Sequence, residues 1–293
     1  MNDLLTFSVI GGDQRQVELI HILLDKGHRV NILGFDELID SKAKVWTKVE
    51  PALFNCNLLL LPIPYRNEQG NITIQKSGIS VRLSDIAESL GNYRPFIILG
   101  KADKSFSELA HKKELHYFDI VEDETFAILN AIPTAEGAIQ KAMEMTNFTL
   151  HGSNILILGY GRIGRSLSRM LKGIGAKVTV EARKTEDLAW ISENGYTALH
   201  LDDLDRCLPF QDIIFNTVPH LILEETSLGR LNKNTIIIDI SSYPGGVDFA
   251  AAQELGIEAC LSLGLPGKVA PKSAAEIIYK VIMGNVREGK VKF

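Results

Sequence analysis

Six residues, Gly159-Tyr160-Gly161-Arg162-Ile163-Gly164, have the spacing of a turn that brings backbone amides against phosphates. Each glycine has its own reason. The first permits a tight turn, the second lets backbone approach a pyrophosphate, and the third lets the following helix pack close to its strand. The glycines alone are a weak signal, and their context strengthens it. Asn154–Leu158 is an apolar run suited to a buried strand, and Arg165–Gly173 has helical periodicity. A helix starting there offers amide donors and partial positive charge to an anion. All six residues are therefore expected to contact a dinucleotide. A ligand-free glycine turn is the competing reading.

The next strand bears on which dinucleotide. A site for NAD usually carries Asp or Glu about 20 residues on, holding the ribose 2′-hydroxyl. Here Lys177–Glu181 reads as a strand, and Val178 and Val180 set its alternation, so the strand-end position in that phase is Ala182. Glu181 falls out of phase. Arg183 and Lys184 follow, and two cations suit a 2′-phosphate better than a hydroxyl. Arg183 can also stack on adenine. NADP is the expected cofactor; a solvated turn is the plain alternative for the two cations. Farther on, Asn216-Thr217-Val218-Pro219 and the segment Asp239–Gly246 each follow a candidate strand. Ligands of open α/β sheets bind at such carboxyl ends. Thr217, Val218, Pro219 and Asp239 are expected beside the nicotinamide, although Pro and Gly-Gly also serve as ordinary turns.

The elements that must hold these residues repeat along the chain. Candidate strands are Leu5–Ile10, Arg29–Leu33, Leu58–Pro62, Pro95–Leu99, Asn154–Leu158, Lys177–Glu181, Ile213–Asn216, Thr235–Ile240 and Glu258–Ser262, with helical patterns such as Gln16–Lys26 between them. This alternation predicts an α/β chain with two Rossmann-like, doubly wound parallel-sheet domains. The expected divisions are a flavodoxin- or Rossmann-like catalytic lobe at 1–132, an inter-domain helix at 133–150 begun by Pro133-Thr134, a dinucleotide-binding domain at 151–271, and a C-terminal helix at 272–293 packing back on the first lobe. Gly11-Gly12-Asp13 also joins a strand to a helix but lacks the full glycine spacing. A carboxylate there disfavours phosphate, so Asp13 is expected to cap its helix in a lobe that binds no nucleotide.

The 293 residues suffice for two domains, and 45% hydrophobic with 23% charged residues is a globular composition. A formal charge of −5 argues against nucleic acid or an anionic membrane as partner. Three widely spaced cysteines, Cys56, Cys207 and Cys260, form no CxxC pair, so neither a disulfide framework nor a metal site is expected. Met1–Phe7 has no basic segment before an apolar core and is not read as a signal peptide. No apolar run approaches the ~20 residues of a membrane span. A cytoplasmic protein is expected.

Four segments together carry a family resemblance: Gly11-Gly12-Asp13-Gln14-Arg15-Gln16, Pro133-Thr134-Ala135-Glu136-Gly137-Ala138, the run Leu158–Gly164, and Leu265-Pro266-Gly267-Lys268-Val269-Ala270-Pro271-Lys272. In order and spacing the chain resembles the family of the dipicolinate synthase alpha chain, the A subunit of that synthase. The resemblance implies an NADP-dependent oxidoreductase acting on CH–CH donors. It would oxidise a dihydrodipicolinate-type intermediate of the lysine pathway to pyridine-2,6-dicarboxylate in the mother-cell cytoplasm of a sporulating bacterium. Its implied partner is the flavoprotein-like B subunit of the synthase, and a homo-oligomer is expected. More widely, the domain pair resembles the arrangement of 2-hydroxyacid and alanine dehydrogenases. The hydroxyacid dehydrogenases' catalytic Arg would fall near Ser241 or Ser242, and Leu263–Lys272 contains no His to match theirs. Their usual acid–base pair is therefore missing.

For a ring dicarboxylate the pocket needs cations, hydroxyls and free amides. Lys268 and Lys272, in a Gly-Pro-rich stretch read as a loop, are candidates, with Ser241, Ser242 and the Gly245-Gly246 amides. Thr134 and Glu136 are expected at a helix start able to face an anion. His220 is the candidate general base, with Lys268 beside it in the catalytic set. Arg66 is a weaker candidate from the first lobe, and His111 and His116 are not spaced as a helical metal pair. Solvated lysines, turn-bonding serines and a structural His are the competing readings. Two rival functions stay open: another NADP-dependent 2-oxo or 2-hydroxy acid oxidoreductase, and a non-catalytic nucleotide-binding protein within a larger enzyme.

Overall fold

The structure, a computed structural model, describes residues 4–35, 40–74 and 78–292. Of the Met1–Phe7 stretch, residues 1–3 lie outside the described residues. In chain order the elements of the first half are β1 (Thr6–Ile10), α1 (Gln14–Asp25), β2 (Arg29–Leu33), β3 (Lys44–Trp46), β4 (Leu58–Leu60), α2 (Leu83–Ser89), β5 (Phe96–Leu99), α3 (Lys104–Lys113) and β6 (Tyr117–Asp119). Then come α4 (Glu124–Met145), β7 (Asn154–Leu158), α5 (Arg162–Ile174), β8 (Lys177–Ala182), α6 (Thr185–Glu193) and β9 (Thr197–His200). The chain ends with α7 (Leu204–Cys207), β10 (Ile213–Asn216), α8 (Glu225–Leu228), β11 (Ile236–Asp239), α9 (Phe249–Glu254), β12 (Glu258–Leu261), α10 (Leu265–Val269) and α11 (Pro271–Arg287).

Two compact units result. One comprises Met1–Leu129 with Ala270–Phe293, the other Asn130–Val269. The first sheet has the order β3-β2-β1-β4-β5-β6 and the second β12-β11-β10-β7-β8-β9, with every pairing parallel. In each sheet the chain leaves its first strand in one direction and later returns to the other side of it. The doubly wound α/β class expected from the alternation is the class observed.

The second sheet shows why its strands read as continuous apolar runs. In β7, Ile155 and Ile157 join Leu167 and Leu171 of α5 on one face. Leu156 and Leu158 join Leu204 and Leu228 on the other. A strand buried on both faces has no polar side to alternate with. Strands β3, β6 and β9, which the sequence did not reveal, are edge strands of three or four residues with half-exposed side chains. In the first unit, α11 buries Ala275, Ile278, Val281 and Ile282 in the same core as Leu19, Ile20, Leu23 and Leu24 of α1.

Two local readings need correction. Helix α4 begins at Glu124, and Pro133 lies inside it. The start signal is Asp123, whose Oδ1 accepts the Phe126 N–H at 2.8 Å. Pro133 offers no N–H to the preceding turn. Thr134 is no helix start: it is 7% exposed and donates its hydroxyl to Asn130 O at 2.7 Å. The Gly-Pro stretch at 264–272 is likewise not a loop. It folds into α10 and the first turn of α11, where Pro271 sits at the first helical position. Gly137 makes room for α10, since a Cβ there would lie 2.9 Å from Leu265 Cβ.

Candidate functional site

The glycine turn has the geometry its spacing suggested. Gly159 has φ +93°, and a Cβ there would come within 2.7 Å of Thr217 Oγ1 and of Val218 Cγ2. A Cβ on Gly164 would collide with the Gly159 carbonyl oxygen, so the third glycine holds α5 against the turn. Gly161 is different. It is the N-cap of α5, with φ −77° and no side-chain cap, and its Cβ direction meets nothing within 4 Å. The turn thus ends in an uncapped helix N-terminus facing open space. That arrangement fits a pyrophosphate, which would take its hydrogen bonds from these amides.

Helix α1 shows the contrast. Its N-cap is Asp13, as the sequence suggested. Asp13 Oδ1 accepts the Arg15 N–H at 2.9 Å, while Gln16 Oε1 accepts the Asp13 N–H at 3.0 Å. A built-in carboxylate already satisfies this terminus.

At the end of β8, Ala182 is 5% exposed, and Arg183 and Lys184 are exposed with no salt bridge among the described residues. Glu181 pairs in register with Leu158 and is 2% exposed. The Gly159 N–H lies 3.2 Å from both the Glu181 carbonyl oxygen and its Oε2. Burial pushes the Glu181 carboxyl above the usual range, opposed by the Gly159 N–H and the charges of Arg183 and His200. Glu181 therefore braces the glycine turn from beneath, a contact visible only in the strand register.

The loops after β10 and β11 are locked together. Asn216 Oδ1 accepts the Val218 N–H at 3.1 Å and its Nδ2 donates to Val218 O at 2.9 Å. Thr217 donates through N–H and hydroxyl to Leu158 O, at 3.0 and 2.8 Å. Gly246 lets the loops touch: a Cβ there would lie 2.5 Å from His220 O and 2.6 Å from Val218 O and Asn216 Nδ2. Asp239 is fully buried, accepting from Ser241 N–H at 2.9 Å, Ser241 hydroxyl at 2.7 Å and Gly246 N–H at 2.7 Å. Asp239 is therefore a loop organiser, correcting its reading as a direct cofactor contact. Ser241, 3% exposed with its hydroxyl committed, is likewise no free substrate donor. Short polar side chains at strand ends look alike in sequence whether they point to ligand or to loop.

His220, Pro219 and Ser242 are exposed in these loops, while Thr217 and Val218 are half-buried. Lys268 is exposed on α10, Lys272 on the first turn of α11, and Glu136 on α4. Lys268 belongs to the second unit and Lys272 to the first. Arg66 is paired with Asp103, and His111 and His116 are exposed. No group of three His, Cys, Asp or Glu among the described residues is gathered to hold a metal.

Comparison with known proteins separates the two units. Residues 6–121 match the N-terminal domain of the dipicolinate synthase A subunit. Residues 128–242 match the NAD-binding domain of D-isomer specific 2-hydroxyacid dehydrogenases. The dipicolinate synthase A subunit of Bacillus subtilis is 34% identical over 280 residues, covering 95% of this chain and 94% of the relative. The crystal structure of the dipicolinate synthase A subunit from Bacillus halodurans superposes with a TM-score of 0.87 at 35% identity, covering 95% and 96% of the two chains. An L-alanine dehydrogenase shares the fold at a TM-score of 0.61 and 14% identity, over 95% of this chain and 88% of its own. With a nicotinamide-dinucleotide type of second domain and a full-length match across both, the chain belongs to the dipicolinate synthase A subunit family.

Proposed function

We propose that this chain is an NADP-dependent oxidoreductase that aromatises a dihydrodipicolinate-type ring to pyridine-2,6-dicarboxylate, working with the flavoprotein-like B subunit of the synthase in the cytoplasm of a sporulating cell. The observation that carries the reading is the match to the dipicolinate synthase A subunit over 95% of the chain. NADP rather than NAD is supported by Ala182, which brings no carboxylate to the strand end, and by the exposed Arg183 and Lys184.

A bound nicotinamide would supply the acceptor for a hydride leaving one ring carbon, with the amides of the Gly159–Gly164 turn and the α5 N-terminus holding its pyrophosphate. The adjacent ring carbon must also release a proton. His220, exposed on the loop that Gly246 locks, is the base in this reading. Since the aromatic ring supplies driving force, the protein's main task is orientation. Lys268 and Ser242, both exposed in the second unit, would meet a carboxylate. Asp239, Asn216 and Ser241 fix the loops that carry Val218 and His220.

The test supplies purified protein with freshly prepared dihydrodipicolinate and NADP, with and without the B subunit, and follows NADPH absorbance. Turnover is expected. No turnover under either condition, with NADPH still bound, would replace this reading with a non-catalytic nucleotide-binding role. Turnover of a 2-hydroxy acid instead would favour the dehydrogenase chemistry of the family matched by residues 128–242.

A further inference from the structure

The first unit has a polar centre that the cofactor site does not use. Its sheet reverses direction between β1 and β4, and ligands of open α/β sheets bind outside the carboxyl ends of strands at such a point. The chain after β1 carries Asp13 and Arg15; the loop after β4 carries Ile63 to Arg66. Arg15 joins them. Its Nη2 donates to Asp13 Oδ2 at 2.7 Å and to Ile63 O at 2.5 Å, and its Nε donates to Asp13 Oδ1 at 2.9 Å. The frame around it is tied: the Gly12 N–H donates to Thr73 O at 2.8 Å, and the Thr73 N–H to Tyr65 O at 3.1 Å.

Arg15 is 7% exposed and stands in the first turn of α1. Both facts are unfavourable to a guanidinium. Burial strips its hydration, and the positive end of the helix repels it. Asp13 offsets the charge, yet a buried ion pair is weak support for stability as such. What the arrangement achieves is rigidity. One edge of a planar fork is fixed by four hydrogen bonds, three to the Asp13 carboxylate and one to Ile63 O, and Nη1 is left with no partner among the described residues. A fork held that way is suited to a carboxylate oxygen. The neighbouring cation, Arg66, is already held by Asp103.

We infer that Arg15 is the carboxylate-recognising residue of the first unit, its Nη1 donating to one carboxylate of the ring dicarboxylate. This deepens the function proposed above and rests on its choice of substrate class. Asp13 is then a positioning residue, and the motif Gly11–Gln16 serves the acid substrate where Gly159–Gly164 serves the cofactor.

The test titrates the full-length wild type, Arg15→Gln and Arg15→Lys with pyridine-2,6-dicarboxylate by calorimetry, and with NADPH by fluorescence. Arg15→Gln is expected to weaken the diacid by at least about tenfold, the loss of one charge-assisted hydrogen bond. NADPH affinity should stay within about twofold, far short of the tenfold that one lost contact would cost. Arg15→Lys keeps the charge for Asp13 but loses the fork, so an intermediate loss is expected. A folded Arg15→Gln that binds the diacid as tightly as wild type overturns the assignment. Should Arg15→Gln fail to fold, unchanged diacid affinity in a normally melting Arg15→Lys overturns it equally, and weakened affinity supports it. A wild type that binds NADPH but not the diacid sinks the dicarboxylate reading itself, and the role of Arg15 with it.

Discussion

Replacing Gly161 with Ala tests whether the glycine turn is a ligand site or only a turn. At φ −77° any residue is at ease, and the new Cβ would meet nothing within 4 Å. Two small effects on stability oppose each other. The unfolded chain loses entropy, worth about 0.4–1 kcal/mol to the fold. Alanine is a poorer N-cap than glycine, at a similar cost. Melting should therefore move by no more than about 2–4 °C. The ligand would be affected differently, because the Cβ projects into the open space before the helix N-terminus. Pushing a phosphate away from one amide loses about 1.5–3 kcal/mol, or roughly 10- to 100-fold in affinity. Gly164→Ala is the control. Its Cβ collides with the Gly159 carbonyl, so stability should fall by about 1–3 kcal/mol together with affinity. The assay pairs thermal melting with NADPH fluorescence titration. If Gly161→Ala melts normally and binds NADPH within about twofold of wild type, the open N-terminus is not the phosphate site.

Arg183→Ala should weaken NADP by about 1–3 kcal/mol and leave NAD nearly unchanged; equal losses in paired titrations would contradict a 2′-phosphate contact. Glu181→Gln should keep an acceptor for Gly159 while removing the buried charge. Because burial raises the Glu181 pKa above 4.5, the unfolded chain loses this proton first, and wild-type stability declines as pH rises through that window. The variant's melting advantage should be largest at neutral pH and vanish toward about pH 3, well below the ordinary carboxyl pKa, where the group is protonated in both states; no difference at neutral pH would refute the account. Gly246→Ala should cost about 1–3 kcal/mol or more by forcing apart the loops at His220 and Ser241, seen as lower melting and lost turnover; a normally melting variant would show that the loops have slack. Burial pushes the Cys56 thiol up to about 11, so it should resist alkylation at about pH 8 until the protein is unfolded, and rapid labelling of native protein would contradict this.

The limits of sequence reading fall at particular residues. The apolar runs of β1, β4, β7, β10 and β11 were legible because strands buried on both faces leave no ambiguity of phase. Edge strands β3, β6 and β9 were not, since half-exposed segments of three or four residues carry no periodicity to read. Pro133 and Pro271 look alike in sequence, yet one lies inside a helix and the other starts one. Only the neighbouring turns decide between them.

The sequence by itself determined the glycine turn between β7 and α5, because glycine is a statement about backbone and space that no tertiary context can supply to another residue. It also determined Asp13 as a cap and, through the whole-length pattern, the family. Tertiary structure decided which polar side chains are free. Asp239, Ser241 and Thr134 spend their oxygens on their own loops and helix, whereas Arg15 is buried with one edge open. A hydrogen-bonding group can be satisfied by chain or by ligand, and which one does so depends on distances the sequence does not contain.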